Sequence, residues 1–351
     1  MSRAGAFVLL VLLPLAGRLT AADDQPTRPN VVFFLVDDLG WRDLGCYGST
    51  FYETPRIDEF ARGSVRFTQA YAACHVCSPT RASILTGKYP ARLRLTDWLP
   101  GRKDFPFQKL KNVSIHQQLP LAEVTIAEVL KQHGYRTAHI GKWHLGEEPS
   151  GPSAQGFDVR IPRWNKGWPN AGYHAPFQLD GLTEARGDYL TDRLTDEALQ
   201  FIDENQKRPF FLHLSHFAVH DPIQGRADLV KKYQAKLDRT NSANSAWPFV
   251  LEGDPDNPAT AELNARLNDE SYRGFRLFAD RTVKVKQRQD NVQFAAMVES
   301  VDESFGRILT RLKTLGLDER TIVIFTSDNG GMSADERTIV IFTSDNGGMS
   351  A

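Results

Sequence analysis

The segment that most restricts the fold is the apolar run "VVFFLV", Val31 to Val36, which is followed by Asp37, Asp38 and Gly40. Successive side chains of a strand point to opposite faces, so a strand without polar residues must be buried on both faces. Strands of a parallel sheet covered by helices are in that environment. The run therefore predicts an α/β fold with a largely parallel sheet.

Strand and helix patterns alternate along the rest of the chain. Helices are predicted at Pro55 to about Ala61, Ser78 to Thr86, in "TIAEVLKQHG" up to the capping Gly134, and in "DYLTDRLTDEALQFIDENQ" and "QFAAMVESVDESFGRILTRLKTLG". Further strands are predicted at Val65 to Ala72, at Arg136 to Ile140, in "RPFFLHLSHFAVHDP", which runs from a strand into a loop, and in "TIVIFTSDNGG". This alternation is typical of a doubly wound sheet with helices on both faces.

The N-terminus has the pattern of an export signal. Arg3 precedes the apolar run "AFVLLVLLPLAG", and small residues follow at Thr20 to Ala22. The run is short for a bilayer span and contains Pro14. We expect residues 1–22 to be a cleaved signal peptide and the protein to be exported, to the periplasm or the extracellular space (lysosomal or secretory in a eukaryote), without stable membrane insertion. A net charge of −1 without a basic stripe argues against a nucleic-acid partner.

Two regions depart from the alternating pattern. Residues 241–289 are polar and weakly periodic, which predicts an insertion or a long surface excursion. The sequence of residues 318–334 is repeated without a change at 335–351. We expect the first copy to supply the native strand of a catalytic domain at 28–334, and we interpret the second copy as an artefactual duplicate.

Polar side chains follow several of the predicted strands, where a doubly wound sheet binds its ligands. These side chains are Asp37 and Asp38, Lys142 and His144, His220, and Asp328 and Asn329. Three carboxylates and an amide oxygen form a hard donor set that suits Ca²⁺ or Mg²⁺ better than zinc. The sequence therefore predicts a divalent-cation site at one edge of the sheet.

Two of the three cysteines, Cys74 and Cys77, lie three residues apart and leave several interpretations open. They could form a redox pair or half of a zinc site, and a disulfide between Cys46 and Cys74 also stays open. A free Cys74 would behave as a small buried apolar residue. Cys77 begins a predicted helix, and Arg81 shares its face, so the two could bind a tetrahedral anion.

The stretch "CSPTRASILTGKYPAR" resembles the signature of the sulfatase family, C-x-P-S/T-R followed by a helix of small residues and T-G. The blocks "PNVVFFLVDDLGW", "GYRTAHIGKWHLG", "PFFLHLSHFAVHDPI" and "TIVIFTSDNGG" resemble the family's other motifs in the same order. The resemblance extends from Arg28 to Ala334. It implies the alkaline-phosphatase-like fold and a sulfuric ester hydrolase of the arylsulfatase type.

The resemblance also implies roles for individual residues. A maturation enzyme would oxidise Cys77 to formylglycine, whose hydrated aldehyde is the nucleophile. Asp37, Asp38, Asp328 and Asn329 would bind Ca²⁺, or Mg²⁺, together with residue 77. Arg81 and Lys142 would stabilise the nucleophile and the sulfate, His144 would contact a formylglycine hydroxyl as a base, and His220 would protonate the leaving oxygen. His75, His213 and His216 are expected to pack in or behind the site.

The implied substrates are sulfate monoesters, and export favours sulfated carbohydrates. A phosphomonoesterase or phosphodiesterase of the same superfamily is the alternative, and an inactive truncated product is another. Family members continue past the D-N-G-G block with a further lysine and a smaller C-terminal subdomain, in place of which this sequence has the duplicate. Weaker anion binding is therefore expected. The segment "LRLTDWLPGR" is expected to shape the pocket.

Overall fold

The computed structural model describes residues 28–104, 110–240 and 289–331, and the backbone of 249–252 and 283–286. The expected signal peptide, most of the polar insertion and the second copy of the repeat lie outside the described residues. Within the described ranges, no helix combines the length and the hydropathy that a bilayer crossing requires.

A five-stranded sheet with the order β3-β2-β4-β1-β7 forms the centre, and all its neighbouring strands are parallel. Its strands are β1 (Asn30–Val36), β2 (Arg136–Gly141), β3 (Val159–Ile161), β4 (Phe210–Ser215) and β7 (Thr321–Ser327). A separate antiparallel pair lies within the polar insertion and consists of β5 (Phe249–Glu252) and β6 (Val283–Lys286). The predicted α/β class and parallel sheet are confirmed.

Helices pack on both faces of the sheet. They are α1 (Pro55–Arg62), α2 (Cys77–Thr86), α3 (Pro90–Leu93), α4 (Ile126–Gln132), α5 (Leu190–Glu204), α6 (Ala227–Arg239) and α7 (Val292–Thr314). One apolar core joins α1, α5, α6 and α7 to side chains such as Phe34 and Leu212. A second, smaller core joins α2, α3 and α4 to Phe211 on the other face. The two cores confirm the doubly wound arrangement.

The predicted strand at Val65 to Ala72 is wrong. These residues form no strand, and the side chains of Val65 and Phe67 are 82% and 70% exposed. The Phe67 carbonyl accepts a hydrogen bond from the Tyr47 hydroxyl at 3.0 Å, so a side chain satisfies a backbone group that a neighbouring strand would otherwise bind. β3 is short, and its three residues were not predicted as a strand.

The carboxyl ends of four adjacent strands meet at one edge of the sheet. β1 leads into Asp37, β2 into Lys142, β4 ends at Ser215 and β7 leads into Asp328. Parallel strands share one direction, so residues that are far apart in sequence are brought to the same edge. This edge is the candidate site.

Candidate active site

Helix α2 places Cys77 at this edge, because Cys77 is its first residue. The turn into the helix is fixed by the hydroxyl of Thr80, which donates to the carbonyl oxygens of Cys74 and Val76 at 2.8 and 3.1 Å. Cys77 is buried. Backbone N–H groups at a helix start attract anions, so this position suits an anionic ligand.

A glycine allows Lys142 to enter the site. Gly141 has φ = 111°, and a Cβ atom there would lie 1.8 Å from the carbonyl oxygen of Ser215. No other residue could pass so close to the end of β4. The next backbone N–H, that of Lys142, donates to the same oxygen at 2.7 Å. The lysine side chain is then fully buried and forms an ion pair with Asp37.

Arg81 connects the ends of all four strands. Its Nε donates to Asp328 Oδ2 at 3.0 Å, and Nη2 donates to Asp37 Oδ1 at 3.0 Å. Nη1 donates to the Lys142 carbonyl at 3.1 Å and to Ser215 Oγ at 2.6 Å. The guanidinium is buried, and each of its nitrogens has a partner. We call Asp37, Arg81, Lys142 and Asp328 the ionic cluster.

Burial and charge act against each other in the ionic cluster. Burial would lower the pKa of Lys142, but the charges of Asp37 and Cys77 raise it. Burial would likewise lower the pKa of Arg81, and the charges of Asp328 and Asp37 raise it. Both side chains therefore stay cationic. Burial raises the pKa of Asp328 to about 6, and the Asp37 charge acts in the same direction.

The donor atoms fit a hard cation. Asp37, Cys77 and Asp328 each offer a ligand atom, and these atoms lie within 4.8 Å of one another. The Asn329 amide nitrogen donates to Asp38 Oδ1 at 2.6 Å, whereas its oxygen is buried without a partner. An unpartnered buried oxygen is costly unless a ligand binds it. Three of the five residues expected to bind the metal, Asp37, Cys77 and Asp328, form this group of donor atoms. The other two, Asp38 and Asn329, are bonded to each other.

His220 lies at the open side of the site. Its Nε2 is 3.7 Å from Asp38 Oδ2, and its Nδ1 donates to the Asp221 carbonyl at 2.9 Å. Burial and Lys142 would lower the pKa of His220, but Asp38, Asp37 and a hydrogen bond with Cys77 raise it to about 10. The imidazole is thus protonated at neutral pH. A cation on these carboxylates would weaken their effect on the pKa.

His144 has the opposite electrostatic environment. Its Nε2 donates to the Leu99 carbonyl at 2.9 Å, so the neutral ring carries its proton there, and the buried Nδ1 has no partner. Burial and the charge of Lys142 lower the pKa of His144 to about 3. The ring therefore offers Nδ1 as a proton acceptor. Its edge lies against Gly167, where a Cβ atom would come within 2.3 Å of Cε1.

The remaining cysteines and histidines take no part in the ionic cluster. All three cysteines are free, so neither Cys46 and Cys74 nor Cys74 and Cys77 form a disulfide. Cys74 is not among the donors grouped around Cys77, which removes the zinc interpretation for the described residues. His75 contacts Arg102 at 3.1 Å, His213 contacts His139 at 2.9 Å, and His216 contacts Ser304 at 2.9 Å.

Several residues of the site were not predicted from the sequence. Ser215 binds Arg81 and donates to the Lys142 carbonyl at 2.9 Å. It lies inside the block predicted to run from a strand into a loop, and the sequence does not mark where that strand ends. Ser78 accepts a hydrogen bond from the Leu99 backbone at 3.0 Å and so holds the segment that binds His144. No pattern in the sequence indicated a role for Gly167, because its contact with His144 depends on how two loops pack.

Comparisons with known proteins agree with this geometry. The model of the family described as Sulfatase matches residues 29–336. N-acetylgalactosamine-6-sulfatase of Mus musculus is 30% identical over 342 residues, covering 92% of this chain and 54% of the relative. Arylsulfatase A of Homo sapiens is 33% identical over 323 residues, covering 91% of this chain and 55% of the relative. The chain therefore spans about half the length of the curated relatives it matches.

Among solved structures, the chain is similar to Ps i-CgsB in complex with k-i-k-neocarrahexaose. The TM-score is 0.63 at 25% sequence identity, and the match covers 90% of this chain and 61% of the other.

Proposed function

Because the chain belongs to the sulfatase family, we propose that it is a sulfuric ester hydrolase that cleaves sulfate monoesters. The observation that carries the proposal is the position of Cys77. It is buried at the start of a helix, next to a group of carboxylates that Arg81 and Lys142 also contact. The helix start and the two cations suit a sulfate group, and the carboxylates suit a divalent cation.

The proposed nucleophile is formylglycine formed from Cys77. A maturation enzyme would oxidise the Cβ of Cys77 by two electrons with dioxygen or an equivalent oxidant. The sulfur leaves as sulfide, and a carbonyl oxygen takes its place. Water then adds to give two geminal hydroxyl groups. This side chain suits a sulfatase because one hydroxyl can attack and the other can later expel the sulfate.

The proposed metal ligands are Asp37, Asp38, Asp328, Asn329 and residue 77, and their oxygen-rich character favours Ca²⁺ over softer metals. When bound, the cation would supply a positive charge that lowers the pKa of a hydroxyl group and stabilises anionic oxygens. The unpartnered oxygen of Asn329 supports this assignment.

The proton transfers are assigned to the two histidines. One hydroxyl of residue 77 first loses its proton to water and attacks the sulfur as an alkoxide. The bond from sulfur to the alcohol oxygen breaks, and His220 gives its proton to that oxygen. The sulfate ester of residue 77 then breaks its Cβ–O bond. His144 Nδ1 takes the proton of the second hydroxyl, the aldehyde re-forms and sulfate leaves. The unpartnered Nδ1 of His144 supports its role as the base.

The cations have different parts in this scheme. Lys142 is held by Asp37, and its ammonium group is the second cation of the site. The guanidinium of Arg81 is already bound to Asp37, Asp328, Ser215 and the Lys142 carbonyl. Arg81 therefore stabilises the reaction mainly through its charge and by fixing these groups, with no large movement of its side chain.

The names of the relatives favour sulfated carbohydrates as substrates of this chain, as does the neocarrahexaose complex of the similar structure. We also propose that the protein is exported and that it depends on the maturation enzyme as a partner.

The experiment is to express the full chain with a formylglycine-generating enzyme and to determine the mass of the peptide that contains Cys77. Hydrolysis of 4-nitrophenyl sulfate is measured in parallel with the Cys77→Ala and Cys77→Ser variants. We expect a formylglycine mass and turnover in the wild type, and loss of turnover in both variants. Unconverted Cys77 without turnover would refute the proposal. Turnover of 4-nitrophenyl phosphate alone would favour a phosphoesterase.

A further inference from the structure

A short loop next to His144 has no role in the scheme above. We call residues Trp164 to Trp168, "WNKGW", the tryptophan loop. The carbonyl of Asn165 accepts a hydrogen bond from the His144 backbone at 3.1 Å. Gly167 lies against the His144 ring so closely that a Cβ atom would fall 2.3 Å from Cε1. The loop is therefore attached directly to a residue of the site.

The tryptophan loop is held in one shape by its own contacts. The Trp164 indole N–H donates to the Trp168 carbonyl at 2.6 Å, which closes the loop. The Lys166 ammonium lies 5.5 Å from the centroid of the Trp164 ring, a cation–π contact. Asn165 is 8% exposed. A loop that is fixed in this way loses little conformational entropy when a ligand binds.

The two largest side chains that the loop presents to solvent are Trp168, which is 43% exposed, and Lys166. A single exposed apolar side chain is common and means little alone. Here the exposed indole stands on a rigid loop beside a buried reactive histidine, and a cation lies two residues away. The face of an indole packs well on the C–H face of a sugar ring, and an ammonium group binds an acidic substituent.

A second cation lies on the segment that holds His144 from its other side. The Leu99 carbonyl binds His144 Nε2, and three residues later Arg102 contacts the ring of His75 at 3.1 Å. His75 precedes Cys77 by two residues. Arg102 also forms an ion pair with Asp97 at 3.4 Å, so its charge is already compensated, and Lys166 is the cation of these two that remains for an acidic substituent.

Resting on the sulfatase function proposed above, we propose that Trp168 and Lys166 form a subsite for the sugar adjacent to the one that carries the reacting sulfate. The indole of Trp168 stacks on that sugar, and Lys166 binds its acidic group. The substrate class is then an acidic oligosaccharide and not a small sulfate ester. Trp168 and Lys166 determine specificity and transfer no proton.

The test compares an oligosaccharide with a small substrate on the full, converted chain. The probes are k-i-k-neocarrahexaose, a chondroitin 6-sulfate hexasaccharide and 4-nitrophenyl sulfate. Trp168→Ala should lower the ratio of kcat/KM for a hexasaccharide to that for the aryl sulfate about tenfold, and Trp168→Phe should restore most of it. Lys166→Ala should lower the ratio about threefold, less at high salt.

Calorimetry on the Cys77→Ala variant measures the affinity for the hexasaccharides in the absence of turnover. The measurement is made with and without the additional change Trp168→Ala. Weaker binding after Trp168→Ala supports the subsite even where turnover is absent, so the two proposals can fail separately. Tyr89→Ala serves as the control, because Tyr89 is exposed beyond the far end of α2 and should change neither probe. The proposal is overturned if neither hexasaccharide binds, or if Trp168→Ala lowers kcat/KM equally for all three probes.

Discussion

The ionic cluster lies at the carboxyl edge of the sheet and a pair of histidines lies within two of the same sheet's strands, and the two groups have opposite chemistry. We call His139 of β2 and His213 of β4 the histidine pair; they are register partners, and their Nδ1 atoms are 2.9 Å apart. Lys142 and Ser215 lie only a few residues further along these strands. Both groups are buried. Burial alone therefore does not mark the functional site.

Charge separates the two groups. In the ionic cluster, Arg81 and Lys142 each face carboxylates, and all four side chains can remain charged. In the histidine pair, burial lowers the pKa of His139 and lowers that of His213 to about 3. The pair is thus neutral at physiological pH, and it shares a single proton between its Nδ1 atoms.

The ionic cluster and the histidine pair also differ in the location of the unpartnered polar atoms near them. Near the ionic cluster, the unpartnered atoms include His144 Nδ1 and Asn329 Oδ1, both on loops that follow strands. In the histidine pair they are the two Nε2 atoms, and the ring of His139 packs against Trp143 and Phe157. The two histidines inside the strands are thus part of the core, whereas His144 and Asn329 beyond the strand ends belong to the site.

Asp38→Ala removes a carboxylate next to the ionic cluster and should lower kcat more than any of the other changes. The carboxylate is one of the proposed metal ligands, and its removal should lower kcat about a thousandfold or more, because several kcal/mol of charge stabilisation are lost. Calorimetry should show loss of calcium binding. Asp228→Ala is the matched control, since this carboxylate is 63% exposed and pairs only with Arg226 among the described contacts. Unchanged calcium binding in the Asp38 variant would contradict the ligand assignment.

Gly167→Ala tests the position of a site residue separately from its charge, because it displaces His144 and leaves every charge in place. The new methyl group would overlap the His144 ring, so the ring must shift. We expect kcat to fall about a hundredfold, since a displacement of about 1 Å at a reacting group has that effect. Urea unfolding should change little by comparison. Gly63→Ala is the control, because the nearest atom to its Cβ is 3.9 Å away. Normal kcat in the Gly167 variant would exclude His144 as the base.

The sheet could be predicted from the sequence because each buried strand carries its own signal. Val31 to Val36 is an apolar run of strand length, and Arg136 to Ile140 follows the helix-ending Gly134; both are strands in the structure. Val65 to Ala72 has similar residue types but lies on the surface. Whether a β-prone segment finds a neighbouring strand depends on tertiary packing, which local composition does not contain.

The ionic cluster could be predicted because parallel strands bring their ends to one edge. Asp37, Lys142 and Asp328 each follow a strand, so the topology alone places them together. The contact of Gly167 with His144 could not be predicted. It depends on how the loop after β3 packs on the loop after β2, and no periodic pattern in the sequence records such packing.

Changes in the histidine pair should have the smallest effect on activity. His139→Leu leaves His213 with a buried ring and no partner for Nδ1, which should lower the free energy of unfolding by about 1–3 kcal/mol. The double variant His139→Leu with His213→Phe removes both polar groups. The introduced phenyl ring would have aromatic neighbours, because the ring of His213 stacks on Phe157 and Phe211.

We therefore expect the double variant to recover most of the stability lost in the single one, since replacing both members of a buried polar pair can be nearly neutral. Urea unfolding of the single and double variants measures this coupling. Hydrolysis of 4-nitrophenyl sulfate should stay close to the wild-type rate in the double variant. A large loss of kcat in the double variant with normal stability would mean that the histidine pair helps to position Arg81. The functional distinction between the histidine pair and the ionic cluster would then be wrong.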